Sequence, residues 1–351
     1  MQHSLFPHEK IQVAGGYPCL TYFQNSKPEL PLVVFVSGGP IMSRIAYGHS
    51  GGQSEDFLAY WIMKAGNPFL AVTHTMDHSI FPTTHPEFTI QDWGRQVAEV
   101  VGETVKQHKL YKEIIVIAFS AGGRLVEALS TALEPYEIKV EAFIALNALT
   151  PQLTLISQPK RGFQISPKGY AVASFDPVYG ESLHIQESVN RRAIVNESTF
   201  KNDYIGNFPI NVWESIYRYH REEFVPALEE GLNDSGAFAY FHYPLIGVIT
   251  GDSSKDLRNT VMSSGVWGFY MTQSLYHQFF AYTRKDFNTF SEHNWKKVLD
   301  TVTTFPQKLS AKIEGGYFFF LGEKGAKATA AKIYEQVEKI RAVRAELKRA
   351  L

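Results

Sequence analysis

A single cysteine, Cys19, stands in the 351 residues, so no internal disulfide can form and nothing in the chain asks for an oxidising compartment. Charge of either sign is not in excess: 34 Lys+Arg face 35 Asp+Glu, which argues against a nucleic-acid or anionic-membrane binder, since phosphate contacts need clustered cations. Long apolar runs are missing as well. Leu32 to Val36 and Ile114 to Phe119 fall far short of the roughly 20 residues that a membrane-spanning helix requires. The first ten residues, Met1 to Lys10, hold no basic region followed by an apolar stretch, so a secretory signal is not expected and a cytoplasmic location is. No H-E-x-x-H spacing, Cys/His cluster or glycine-rich phosphate loop occurs, so neither a metal nor another cofactor is expected.

What the chain does hold is a run of short apolar segments alternating with helical ones. Leu32-Val33-Val34-Phe35-Val36 leads into Ser37-Gly38-Gly39-Pro40, Phe69 to Val72 into Thr73-His74, Ile114 to Ala118 into Phe119-Ser120-Ala121-Gly122, and Val140 to Leu146 into Asn147. Unbroken β-branched runs of this kind suit strands buried on both faces. Between them, Ser54 is placed to cap a helix carrying Glu55 and Asp56 and ending at Gly66. Thr89 and Asp92 have the spacing of a capping box, followed by a stripe of Trp93, Val97, Val100, Val101 and Val105. The alternation predicts an α/β fold with a mostly parallel central sheet flanked by helices.

After Thr150 the rhythm breaks. Residues 151–243 are rich in Pro, Gly, Ser, Asn and aromatics, with a helical patch expected around Val212 to Leu228, and read as a cap inserted between two parts of a core, 1–150 and 244–351. Leu245 to Thr250 resumes the strand pattern. Leu257 to Phe290 is dense in aromatics, most of which are expected to pack this part of the chain onto the core, while some line an apolar pocket. A final helix from about Lys327 buries Ile333, Val337, Ile340, Val343 and Leu347 on one face.

Ala118-Phe119-Ser120-Ala121-Gly122 lies where a buried strand meets a helix beginning near Gly123. Small flanking residues let such a turn be sharp enough to present the serine hydroxyl above a sheet. Here the chain resembles the α/β-hydrolase fold superfamily, with Ala118 in place of the first glycine of the nucleophile elbow. The resemblance runs from Ile11 to the final helix and implies Ser120 as nucleophile, with oxyanion donors in the backbone N–H of Ala121 and of Gly38 or Gly39. The Gly38-Gly39 pair equally suits a tight turn chosen for its φ and ψ alone. Tyr47 and His49, in the loop that follows, are pocket candidates.

The superfamily's acid follows the strand after the cap, where this chain reads Gly251-Asp252-Ser253-Ser254-Lys255-Asp256. Ser254 falls at the usual acid position, so the acid is assigned to Asp252, with Asp256 the alternative; Asp252 also suits a turn-forming role. The superfamily's histidine position, in Glu314-Gly315-Gly316-Tyr317-Phe318, is occupied by Tyr317. A phenol with pKa near 10 is a poor general base at neutral pH, where imidazole near 6.5 is well matched. His49, His74, His78, His242, His277 and His293 are the substitutes that could face the same edge of the sheet.

The resulting expectation is an enzyme acting on an ester, thioester or lactone of a small hydrophobic substrate through Ser120 and an atypical triad of Ser120, Asp252 and Tyr317. Two alternatives stand beside it: a non-hydrolytic member, a cyclase, lyase or isomerase using Tyr317 and the oxyanion hole, and a catalytically silent ligand-binding protein. The sequence leaves the oligomeric state open.

Overall fold

The computed structural model describes residues 5–152, 164–175, 178–214, 216–281 and 290–350. The apolar runs form strands β1 (Glu9–Ala14), β2 (Tyr17–Gln24), β3 (Leu32–Gly38), β4 (Phe69–Thr73), β5 (Glu113–Ser120) and β6 (Lys139–Leu146). After them come β7 (Tyr217–His220), β8 (Glu223–Pro226), β9 (Ile246–Gly251) and β10 (Ser310–Ile313). Eight of these make one sheet in the order β1-β2-β4-β3-β5-β6-β9-β10. β2 is antiparallel to both of its neighbours and the other pairings are parallel. β3 is buried along its whole length and β5 from Ile114 onward, because helices cover both faces, and this is why their sequences do not alternate. The α/β architecture expected from the sequence is the one observed.

The helices are α1 (Leu58–Lys64), α2 (Ile90–His108), α3 (Val126–Leu133), α4 (Val178–Asn190), α5 (Glu197–Thr199), α6 (Leu228–Asp234), α7 (Ser263–Phe279), α8 (Glu292–Lys308) and α9 (Glu323–Ala350). α2 begins with the expected capping box between Thr89 and Asp92, and its valine and tryptophan stripe is buried. The helix expected from Ser54 is instead a 3₁₀ turn, Ser54–Asp56, followed by α1. The Ser54 hydroxyl donates to the Glu55 carboxylate rather than capping. Asp56 is drawn away to Arg192, which donates from Nη1 at 2.7 Å, and to the Glu323 N–H at 2.9 Å, where it caps α9.

Residues 151–243 give no strand to the large sheet among those described, and touch the loops beyond β3 and β4 through the bridges Ile41↔Ile205 and Asp77↔Asn207. The helical patch expected around Val212 to Leu228 is a correction. A 3₁₀ turn at Ile210–Val212 leads into the β7/β8 hairpin, and α6 starts only at Leu228. Arg221 and Glu222 both adopt positive φ, 47° and 68°, the two-residue turn geometry that matches strand twist and breaks a helix. In the aromatic stretch, Trp267 and Tyr270 are buried whereas Phe269 and Tyr276 are exposed; Tyr282 and Phe287 lie outside the described residues.

One buried carboxylate fastens this region to the core. Asp234, at the end of α6, accepts from the N–H groups of Ile90 and Gln91 at 3.0 Å each, capping α2, and from Arg218 Nη2 at 2.6 Å. Arg218 is 1% and Asp234 9% exposed, so removing one partner strands the other charge out of water. Asp234→Ala is expected to lower unfolding free energy by about 3–5 kcal/mol, to be read from urea denaturation of the variant against the parent.

Candidate active site

β5 ends in Ser120, whose φ of 55° and ψ of −129° lie outside the regions a side-chain-bearing residue ordinarily occupies. The bend is held by close packing on both sides. A Cβ on Gly122 would come within 2.7 Å of the Val36 carbonyl oxygen, so only glycine lets the turn after Ser120 settle against β3. The 3₁₀ turn Ala121–Leu125 and then α3 follow directly. Ser120 itself is 4% exposed, with its backbone carbonyl accepting from the Leu149 N–H at 2.8 Å.

Strand register sets Gly38 opposite Ser120. Gly39 follows with a φ of 68°, so the turn after β3 lies alongside the elbow and places Gly39 close to Ala121, the residue after the serine. Gly38 has a steric requirement of its own, since a Cβ there would run into the Trp93 ring.

Tyr317 follows β10, and the nearby Ser120 side chain pulls the pKa of its phenol down. Burial, reinforced by the nearby Asp256 charge, outweighs this and pushes the phenol above its ordinary value of 10, so at neutral pH it carries its proton. Its ring packs against Phe119 with centroids 4.9 Å apart and faces Tyr179 at 6.2 Å.

The two carboxylates of the β9 loop have different surroundings. Asp252 is exposed and accepts from the Gly315 N–H at 3.0 Å, which fastens the β9 loop to the loop carrying Tyr317. Asp256 is partly buried and accepts from Asn147 Nδ2 at 3.2 Å and Asn259 Nδ2 at 2.9 Å. Burial raises Asp256 from 3.8 to about 6, against the lowering pull of the Asn259 hydrogen bonds and the Arg258 charge. Asn147 is the residue that sequence reasoning passed over, naming it only as the end of β6. Its amide also donates to the Tyr317 carbonyl at 3.0 Å, and its own carbonyl accepts from the Gly251 N–H at 3.3 Å. With a φ of 39° it sits in a conformation that asparagine tolerates better than most residues, the one local signal that could have singled it out.

None of the six histidines weighed as substitutes is a partner of Ser120 among the described residues. His49 Nδ1 pairs with the Tyr204 hydroxyl at 2.7 Å, and burial lowers its pKa. His74 is fully buried, stacked near Phe88 and Trp93, with Nδ1 on the Thr75 carbonyl at 2.7 Å; burial lowers it to about 4 and keeps it neutral. His78 donates to the Asn202 carbonyl, His242 faces Glu134, His277 packs beside Tyr240, and His293 is exposed on α8. Tyr47 is committed elsewhere too, its hydroxyl donating to Glu9 at 2.7 Å beside the buried Arg44–Glu9 pair. Among the described residues, no group of three or more His, Cys, Asp or Glu side chains could hold a metal ion, and no helix is long and apolar enough to cross a membrane.

No protein-family model matches the chain, and no curated protein matches it. Solved structures of α/β-hydrolase fold do. A thioesterase domain from the curacin biosynthetic pathway is 14% identical, with 93% of this chain and 98% of that one covered and a TM-score of 0.44. An epoxide hydrolase from Vigna radiata is 13% identical over 94% of this chain and 97% of its own, with a TM-score of 0.46. A thermophilic esterase from Thermogutta terrifontis is 13% identical over 92% and 94%, with a TM-score of 0.41.

The raised Asp256 carboxyl has a stability consequence with a definite sign. Between about pH 4 and 6 the folded chain holds a proton that the unfolded chain has released, so this group favours folding most below pH 4 and loses that contribution as pH rises through about 6. Asp256→Asn removes the titration. Urea midpoints measured from pH 4 to 7.5 are expected to fall less steeply with pH in this variant than in the parent.

Proposed function

We propose that the chain is an enzyme acting at the carbonyl of a small hydrophobic ester, thioester or lactone, with Ser120 as nucleophile. The observation that carries this reading is the strained backbone at Ser120 holding its hydroxyl against the Tyr317 phenol. Strain of this kind at a residue other than glycine costs of order 1–3 kcal/mol and gathers where a side chain must be aimed. Residues 151–243 serve as the cap over the site.

In this reading the carbonyl oxygen takes hydrogen bonds from the backbone N–H of Ala121 and of Gly39, with Gly38 allowing the close approach of the loop to the elbow. Such donors stabilise developing negative charge without adding a titrating group. Ser120 Oγ bonds to the carbonyl carbon as its proton moves to the Tyr317 oxygen and the phenol's own proton passes on towards Asp256. The bond to the alcohol or thiol then breaks and the leaving group takes the proton. Water attacks the acyl-serine in the same manner, giving the acid and restoring Ser120. Of the two carboxylates, Asp256 is the better base, since its charge acts on Tyr317 and its pKa of about 6 approaches the working range, whereas the role assigned to Asp252 is to hold the loop of Tyr317 through the Gly315 N–H.

A second reading is favoured by the same phenol. A buried tyrosine that stays protonated, next to a serine hydroxyl, suits an enolate as well as a tetrahedral intermediate. Non-hydrolytic chemistry at this pocket needs no acyl-serine.

Fluorophosphonate labelling separates the readings, because Ser120 Oγ must displace fluoride from phosphorus. Labelling of the parent that is lost in Ser120→Ala supports the hydrolytic reading; turnover of a carbonyl substrate without labelling supports the second; neither one leaves a silent binding protein. Tyr317→His is expected to raise hydrolysis of p-nitrophenyl acetate by about 10² -fold, the lower range for a positioned general base. An activity no higher than the parent's would overturn the placing of Tyr317 in the base position.

A further inference from the structure

We infer that Trp213 is a specificity-determining residue that limits the bulk of the group carried on the substrate carbonyl. This rests on the reading of Ser120, Gly39 and Ala121 given above and adds to it the wall that faces them. A Cβ built on Gly39 would lie 3.2 Å from Cδ1 of the Trp213 indole and 3.8 Å from the Cβ of Ala121, and Trp213 packs on Ala121 and Leu149. The indole therefore covers both residues whose N–H groups are to hold the carbonyl oxygen. Any substituent on that carbonyl has to share this space with a bulky fused indole ring rather than with solvent.

The wall is fixed at both ends. Asn211, buried two residues earlier, donates from Nδ2 to the Glu87 carbonyl at 3.1 Å and accepts at its carbonyl oxygen from Arg218 Nη1 at 3.0 Å. Just after the indole, the Glu214 carbonyl accepts from Arg124 Nη1 at 3.4 Å, and Arg124 belongs to the turn that follows Ser120. The backbone N–H of Trp213 donates to the Ile210 carbonyl at 3.0 Å within the same turn. The backbone on both sides of Trp213 is thus anchored, to the elbow and to the loop before α2, so the segment cannot move away as a whole without breaking buried hydrogen bonds, each worth of order 1 kcal/mol, while the indole is held over the elbow by its packing on Ala121 and Leu149. The site thus selects small or flat acyl groups, and its size limit is set at position 213.

The test compares labelling rates of Ser120 by a fluorophosphonate bearing a methyl group and by one bearing a bulky branched alkyl group. In the parent the small probe is expected to react at least 10-fold faster. Trp213→Ala is expected to narrow or reverse that ratio by 10-fold or more, chiefly by speeding the bulky probe, and Trp213→Phe to shift it in the same direction by less. Circular dichroism and the melting midpoint establish that each variant is folded, and Trp213→Phe carries the test if Trp213→Ala is not. Labelling of the parent with an unchanged size ratio in the folded variant overturns the inference and leaves the reading of Ser120 standing. A parent labelled by neither probe overturns that reading, and the inference with it.

Discussion

The arrangement around Ser120 hangs on how closely the turn after it can approach β3. The Val36 carbonyl oxygen leaves no room for a side chain at Gly122, and the Trp93 ring leaves none at Gly38, so two strands and a helix meet at contact distance around one serine. That proximity sets Gly38 directly opposite Ser120 and accompanies the unusual φ and ψ at position 120. The cost falls on a single residue and is met by the packing of fully buried neighbours, Phe119 and Ala121 among them.

The electrostatics of the site follow from burial more than from charge. The phenol at 317 and the carboxyl at 256 are both pushed towards their protonated forms by loss of water, the first far from neutrality and the second to about 6. Asn147 couples the loop that bears Tyr317 to the Asp256 carboxylate, by donating to both.

The parts of this arrangement that could be read in the sequence are those governed by local chemistry. The strands at Leu32 and Ile114 are written in unbroken β-branched runs, the α2 cap in Thr89 and Asp92, and the bend at Ser120 in its small neighbours. Tyr317 was visible because a glycine pair precedes it in the last turn. Asn147 and Trp213 were not, since each meets residues distant in the chain: Asn147 meets Tyr317 across 170 positions, and Trp213 gains its place only by packing on the far-off Gly39 and Ala121. The same cause explains the two departures in secondary structure. Asp56 abandons its own helix for α9, and the helix-like spacing after Val212 yields to a tight turn at Arg221 and Glu222 whose strands bury Arg218.

The borrowed caps also order the events of biosynthesis. α2 receives its terminal carboxylate from a residue 144 positions downstream, and the one that closes the start of α9 is made 267 positions upstream of its target. As the chain leaves the ribosome, α2 has its local capping box but must wait for Asp234 to satisfy the amides of Ile90 and Gln91, while Asp56 waits for nearly the whole remaining length. The caps of both helices are thus complete only when segments far apart in the chain have come together, contacts whose loop-closure cost is high.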